Sequence, residues 1–130
     1  MLKLVLLVAL AALAYGAFEK VDISDEGVVE AAHAAAKALS KQWPDKYHHR
    51  FVKVLKAKKE DFNGVSYEMD IIVGMTVCKK SEVEYEEAEN CEFRDSISTY
   101  KKCTVTISKD LKGAYKLKRA GCILASKSEI

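Results

Sequence analysis

From Val65 to Val77 the chain alternates, with Val65, Tyr67, Met69, Ile71, Val73, Met75 and Val77 at successive odd positions. Ser66, Glu68, Asp70, Ile72, Gly74 and Thr76 between them are mostly polar. A period of two sustained this long predicts a strand with one buried face. Upstream, Arg50 to Lys59 carries Phe51, Val52, Val54 and Leu55 among lysines, and Asn63-Gly64 separates the two segments. Asn-Gly between apolar-periodic runs is a strong hairpin signal, so these two strands should pair antiparallel. Cys103, Val105 and Ile107 alternate with Thr104, Thr106 and Ser108 in a third strand, and Tyr115 to Leu124 supplies a fourth across a turn at Lys109–Gly113.

Earlier in the chain the period is helical. Val28, Ala32, Ala35 and Leu39 fall at i, i+4, i+7 and i+11 within Ser24–Gln42. Ser24 or Asp25 can cap the start, Asp25 and Glu26 suit the positive end of the helix dipole, and Pro44 stops the run. The inner stripe is mostly alanine, so the helix can lie close to its cover, and a twisted sheet is the usual partner. One helix followed by an antiparallel meander makes an α+β domain with the helix across one sheet face.

The first 16 residues read differently. Lys3 precedes an unbroken apolar run, Leu4–Ala14, and Ala14-Tyr15-Gly16 offers small residues at the −3 and −1 positions of a cleavage site. This is the layout of a secretory signal peptide over residues 1–16, with one domain over 17–130. The run is shorter than the roughly 20 residues that span a bilayer, and no membrane association is expected. Without Lys3 the chain holds 20 basic and 19 acidic residues, which gives no basis for a nucleic-acid partner.

Cys78, Cys91, Cys103 and Cys122 form an even set behind that signal. They allow three disulfide connectivities, of which the sequential one closes two short loops and is the expected choice. No Cys-x-x-Cys occurs, and His33, His48 and His49 have no ligand spacing to the cysteines, so no metal is expected. His33 falls off the apolar stripe and reads as a solvated helix residue. Lys79–Asn90, with Glu82, Glu84, Glu86, Glu87 and Glu89, reads as a solvated loop. Neither a nucleophile–base pair nor a phosphate-binding glycine loop is present. The residues point to a secreted, disulfide-bonded binding domain with no catalytic centre and no cofactor.

The wording around these elements resembles the secreted, two-disulfide (type 2) cystatins. Asp22-Ile-Ser-Asp-Glu-Gly-Val-Val-Glu-Ala-Ala is similar to the start of the cystatin helix, Tyr47–Lys59 to the strand after it, and Gly64-Val-Ser-Tyr67 to the family's Gly-Val-Asn-Tyr. The resemblance runs from Phe18 to Cys122. It implies one helix packed across a five-stranded antiparallel sheet, disulfides Cys78–Cys91 and Cys103–Cys122, and reversible inhibition of papain-like, cathepsin-type cysteine proteases. Members of the family can exchange the helix and first strands between chains by opening the first hairpin loop. Asn63-Gly64 takes up the positive φ angles of that turn at little cost, so a monomer is expected.

Inhibition in that family uses three aligned pieces: an N-terminal segment with a glycine, a first hairpin loop Gln-x-Val-x-Gly, and a second loop with Pro-Trp. The positions they imply here are Phe18, Glu19, Lys20 and Val21; Glu60, Asp61, Phe62, Asn63 and Gly64; and Asp110, Leu111 and Lys112. Each piece departs from the pattern. Only Gly64 is kept in the first loop, Asp110 and Leu111 stand for the proline and tryptophan, and the N-terminal segment has no glycine once Gly16 leaves. The legumain-site asparagine of some members has no counterpart near Trp43-Pro44-Asp45, and that activity is not carried over. The alternative expectation is a cystatin-fold binding protein that does not inhibit.

Overall fold

The computed structural model describes residues 17–130, so the signal peptide expected over 1–16 lies outside the described residues. The elements are β1 (Glu19–Lys20), α1 (Glu26–Gln42), β2 (Tyr47–Asp61), β3 (Val65–Lys79), a single-turn α2 (Tyr85–Ala88), β4 (Tyr100–Lys109) and β5 (Tyr115–Leu124). The strands form one antiparallel sheet in the order β1-β2-β3-β4-β5. The expected helix over a five-stranded antiparallel sheet is what the chain adopts.

Of the two candidate caps for α1, Asp25 does the work: its carboxylate accepts from Val28 N. Asp22 instead turns the preceding loop, accepting from the backbone and hydroxyl of Ser24. Val28, Ala31, Ala32, Ala35, Ala36 and Leu39 are all buried against the sheet. Facing them are Val54 and Ala57 of β2, Tyr67, Met69, Ile71 and Val73 of β3, and Cys103, Val105 and Ile107 of β4.

β2 is longer than its hydrophobic pattern suggested, and the reason is local. Its register with β3 shifts at Tyr47/His49, Phe51/Lys53 and Val54/Lys56. The last two each insert a residue in β2 and move its inward phase, so Phe51, Val54 and Ala57 pair with Val73, Ile71 and Met69 at spacings of three rather than two. At Tyr47/His49 the extra residues are on β3. Val52 and Leu55 are the residues left over.

The second half of β3 departs from simple alternation as well. Val77 is exposed, whereas Ile72, Gly74 and Thr76 on the outer face are buried. Two returning segments cover that face. Phe93 forms an isolated bridge to Thr76, and its ring, with that of Tyr100, sits where a Cβ on Gly74 would be 2.8 Å away. Near Ile72, whose neighbours are Lys53 and Lys102, Lys53 Nζ donates to Ile130 O and Lys102 pairs with Glu129.

The acidic stretch expected to be a solvated loop is folded onto the body. Tyr85 and Ala88 are buried, Lys37 binds Glu86 at 2.6 Å, and the His48 ring contacts Val83 O at 2.7 Å. His33, read as solvated, is half-buried between the Phe51 ring at 4.6 Å and Glu89 at 2.9 Å. The glutamates made the segment look unstructured because they occupy its outer side, while two apolar residues hold the inner one. Cys78–Cys91 ties it to the end of β3, and Cys103–Cys122 joins directly opposed residues of β4 and β5.

His49 is fully buried beside the Trp43 ring, with neither ring nitrogen hydrogen-bonded and Asp45 3.7 Å away. Burial, opposed by Asp45 but aided by Lys101 and Lys80, pushes its pKa down to about 4 from 6.5. The folded value lies below the unfolded one, so the unfolded chain binds more protons in this window. The stability is complete above pH 6.5 and is lost as pH falls toward 4, by up to about 3 kcal/mol. Urea unfolding at a series of pH values should show this slope, and His49→Gln should flatten it. An unchanged slope in the variant would assign the acid sensitivity to other groups.

Candidate functional site

A single register row, Asp61–Val65–Lys109–Tyr115, crosses β2, β3, β4 and β5. Both hairpin loops stand on it, Phe62–Gly64 between Asp61 and Val65, and Asp110–Ala114 between Lys109 and Tyr115. β1 pairs Glu19 with Lys59 and Lys20 with Lys58, so the chain before Glu19 runs toward Glu60 and Asp61. Phe18 and the two loops therefore meet at one end of the sheet.

The first loop has three residues rather than a two-residue Asn-Gly turn. Asn63 has φ 50° and Gly64 φ 106°, and Phe62 N donates to Gly64 O at 3.1 Å. Asparagine tolerates the left-handed region, and glycine enters it without a Cβ penalty. Gly64 is constrained a second way, because a Cβ there would run into the Lys109 carbonyl oxygen and crowd Asp110. The two loops touch backbone to backbone at this glycine. Phe62, with no apolar cover at the tip, is 56% exposed.

The second loop is organised by Asp110. Its Oδ1 accepts from Lys112 N and Ala114 N, both at 2.9 Å, while Gly113 N donates to Asp110 O and Asp110 N to Ala114 O. An aspartate side chain that bonds backbone two residues ahead is a standard turn former, so the loop closes without a proline. Leu111 is left at its tip, 83% exposed.

A clamp from α1 fixes the base of this loop, and no sequence pattern indicated it. Glu30 Oε1 accepts from Tyr115 Oη at 2.7 Å and from Lys109 Nζ at 3.0 Å, so one carboxylate holds both residues of the pair that closes the hairpin. The Tyr115 hydrogen bond, then Lys109, holds the Glu30 pKa below its ordinary value. Burial, then the bond to Glu30, pushes the Tyr115 pKa up. Glu30 is 85 residues from Tyr115, beyond any local periodicity.

Not all the expected positions reach this end. Phe18, Glu60, Asp61, Phe62, Asn63, Gly64, Asp110, Leu111 and Lys112 lie at or beside the loops. Glu19 and Lys20 sit within β1, and Val21 recedes onto the core, its N–H donating to Ala57 O. Among the described residues no three His, Cys, Asp or Glu side chains gather as a metal site. Two apolar tips on a rigid row, flanked by an extended segment, can occlude a cleft by shape but can transfer no proton or group.

Residues 16–112 match the cystatin domain family. The chain is 34% identical over 110 residues to cystatin-C of Rattus norvegicus, spanning 82% of this chain and 76% of that one. It is 38% identical over 76 residues to L-cystatin of Tachypleus tridentatus, spanning 58% of this chain and only 57% of the relative. The fold superposes on dimeric human cystatin F with a TM-score of 0.75 at 16% identity, covering 86% of this chain and 90% of the other.

Gly64→Ala should cost on the order of 1–3 kcal/mol, because it places a side chain at positive φ and against backbone. Glu30→Gln should leave the fold intact and speed amide exchange at Lys112 and Ala114 by loosening the loop base. Thermal melting and hydrogen exchange read the two effects separately. Unchanged exchange in Glu30→Gln would mean that Asp110 alone holds the loop.

Proposed function

The chain belongs to the cystatin family, as a two-disulfide type 2 member, and we propose that it is a secreted, reversible inhibitor of papain-like cysteine proteases with an altered wedge. Members of that family are protease inhibitors rather than enzymes. The observation that carries the reading is the alignment of the exposed Phe62 and Leu111 tips on one four-strand row. A cleft that accepts both tips is blocked by apolar contact and shape, with no bond made or broken. The chain acts as a monomer, and the signal peptide over residues 1–16 sends it outside the cell.

The chemistry of the wedge sets its strength. Glu60 brings a carboxylate to the flank of the first loop, where burial without a partner is costly. Leu111 fills less of a pocket than tryptophan, and interface tryptophans are frequent hot spots. These two substitutions favour the second reading, a cystatin-fold binding protein without protease affinity, and the same experiment separates the two.

Glu60→Gln with Leu111→Trp should tighten inhibition of papain by about 2–4 kcal/mol, roughly 30- to 1000-fold in the dissociation constant. Phe62→Ala should weaken it, with little change in melting temperature because the ring is largely exposed. Inhibition constants for the parent and these variants decide the matter. If neither the parent nor the double variant inhibits papain, the binding-protein reading replaces the inhibitor.

A further inference from the structure

We propose that the outer face of β4–β5, running back along the sheet from the two loops, is a binding track for a linear sulfated polysaccharide. The register sets out its components in rows. Glu60, Ser66, Ser108 and Lys116 form one row across β2–β5, and Lys58, Glu68, Thr106 and Arg119 form the next. At the first row lies a groove of about 560 Å³ lined by Phe62, Asn63, Ser66, Ser108, Lys116 and Lys118, among others.

Its floor is a hydroxyl pair, Ser66 Oγ and Ser108 Oγ, 2.9 Å apart. One hydroxyl proton serves their mutual bond, which leaves the other free to donate to an anion. Lys116 and Lys118 flank the pair. The register shift at Thr106/Ile107 places Lys118 as the extra residue of a bulge, so Lys116, Lys118 and Arg119 are not strictly alternating. They lie within roughly 10 Å along the strand.

Charge there is local and unbalanced. Lys109 to Arg119 holds five basic residues and one acid, Asp110. Asp110 spends one carboxylate oxygen on Lys112 N and Ala114 N, and Lys109 is held by Glu30. Lys112, Lys116, Lys118 and Arg119 are exposed, and among the described residues none has a carboxylate within 4.0 Å. Glu68 shares the row of Arg119 but is two strands away and paired in register with Lys58. A whole chain of net charge +2 has no general attraction to polyanions, so binding would have to come from this cluster.

Lysines on an edge strand also deter unwanted strand pairing. That role alone needs no hydroxyl floor and no cation in the cross-sheet rows of Ser108 and Thr106. Sulfate groups with sugar hydroxyls between them match ammonium groups over serine hydroxyls. A nucleic acid would ask for successive stacking rings along the track. Phe62 stands at the groove's loop end, and Tyr115, also at the groove, spends its hydroxyl on Glu30 of α1. Lys116, Lys118 and Arg119 beyond them have no ring between them.

The test uses the chain from Ala17, heparin decasaccharide, de-sulfated heparin and a 20-nucleotide single-stranded DNA, titrated at several salt concentrations. Heparin should bind and de-sulfated heparin should not. Lys116→Gln/Lys118→Gln/Arg119→Gln should lose at least tenfold in heparin affinity and reduce the salt slope, as expected when cations that displace counterions are removed. Lys41→Gln/Lys46→Gln/Lys127→Gln, with the same charge removed elsewhere, should lose less than twofold. If the triple variant fails to fold, Lys116→Gln and Arg119→Gln singly should each lose several-fold. Equal losses in the two charge-matched variants, absent heparin binding, or DNA binding as tightly as heparin would each overturn the proposal.

Discussion

The structure depends on how closely α1 approaches the sheet. Four of the six helix residues buried against it are alanine, so little side chain separates the helix backbone from Met69, Ile71 and Val105. A sheet that packs this near to a cylinder must curve around it. The curvature is supplied on β2 by the two bulges at Phe51/Lys53 and Val54/Lys56, since bulges bend a strand and increase its twist. A larger residue at Ala32 or Ala35 would lift the helix and leave that curvature without purpose, because core interiors tolerate little overpacking.

Curvature also explains why the candidate site is at one end only. There β2 through β5 stay in register over the row that carries both loops, and Glu30 reaches from the first half of α1 to the hairpin base. At the other end the outer face of β3 is apolar or small at Ile72, Gly74 and Thr76 and is covered by the Phe93 segment and the C-terminal turn. One end is capped by returning chain, and the other is left as free loops. The buried His49 belongs to the capped end, so its acid sensitivity acts on the platform rather than on the tips.

What the sequence made legible follows the same division. β4 and the first half of β3 could be read almost residue by residue because each buries one face with little interruption, and α1 because its stripe is continuous. β5, half-buried at most, was legible chiefly as the segment across the second turn. β2 was legible as a strand but not in register, since the bulges that fit it to the helix destroy the period of two. The acidic segment was misread because Tyr85 and Ala88 are too few to make a pattern against five glutamates. At the site, the loop residues were identified through family resemblance, whereas the Glu30 clamp and the Gly64–Lys109 contact join residues far apart in the chain. Side-chain pairs across 79 and 85 positions leave no local trace.

The first loop shows which of its positions the fold constrains. Against Gln-x-Val-x-Gly this chain has Glu60-Asp61-Phe62-Asn63-Gly64, and the glycine alone persists. Gly64 is the one residue of the five whose backbone both takes a positive φ forbidden to most side chains and meets the neighbouring loop at Lys109 and Asp110. Asn63 also has a positive φ but tolerates it, and its side chain is free. Glu60, Asp61 and Phe62 can change chemistry without disturbing any core contact. The same holds in the second loop, where the turn depends on the Asp110 carboxylate and Leu111 is only carried by it. The fold therefore fixes where the two tips stand and how far apart they are held, and leaves their chemistry open to whatever surface they meet.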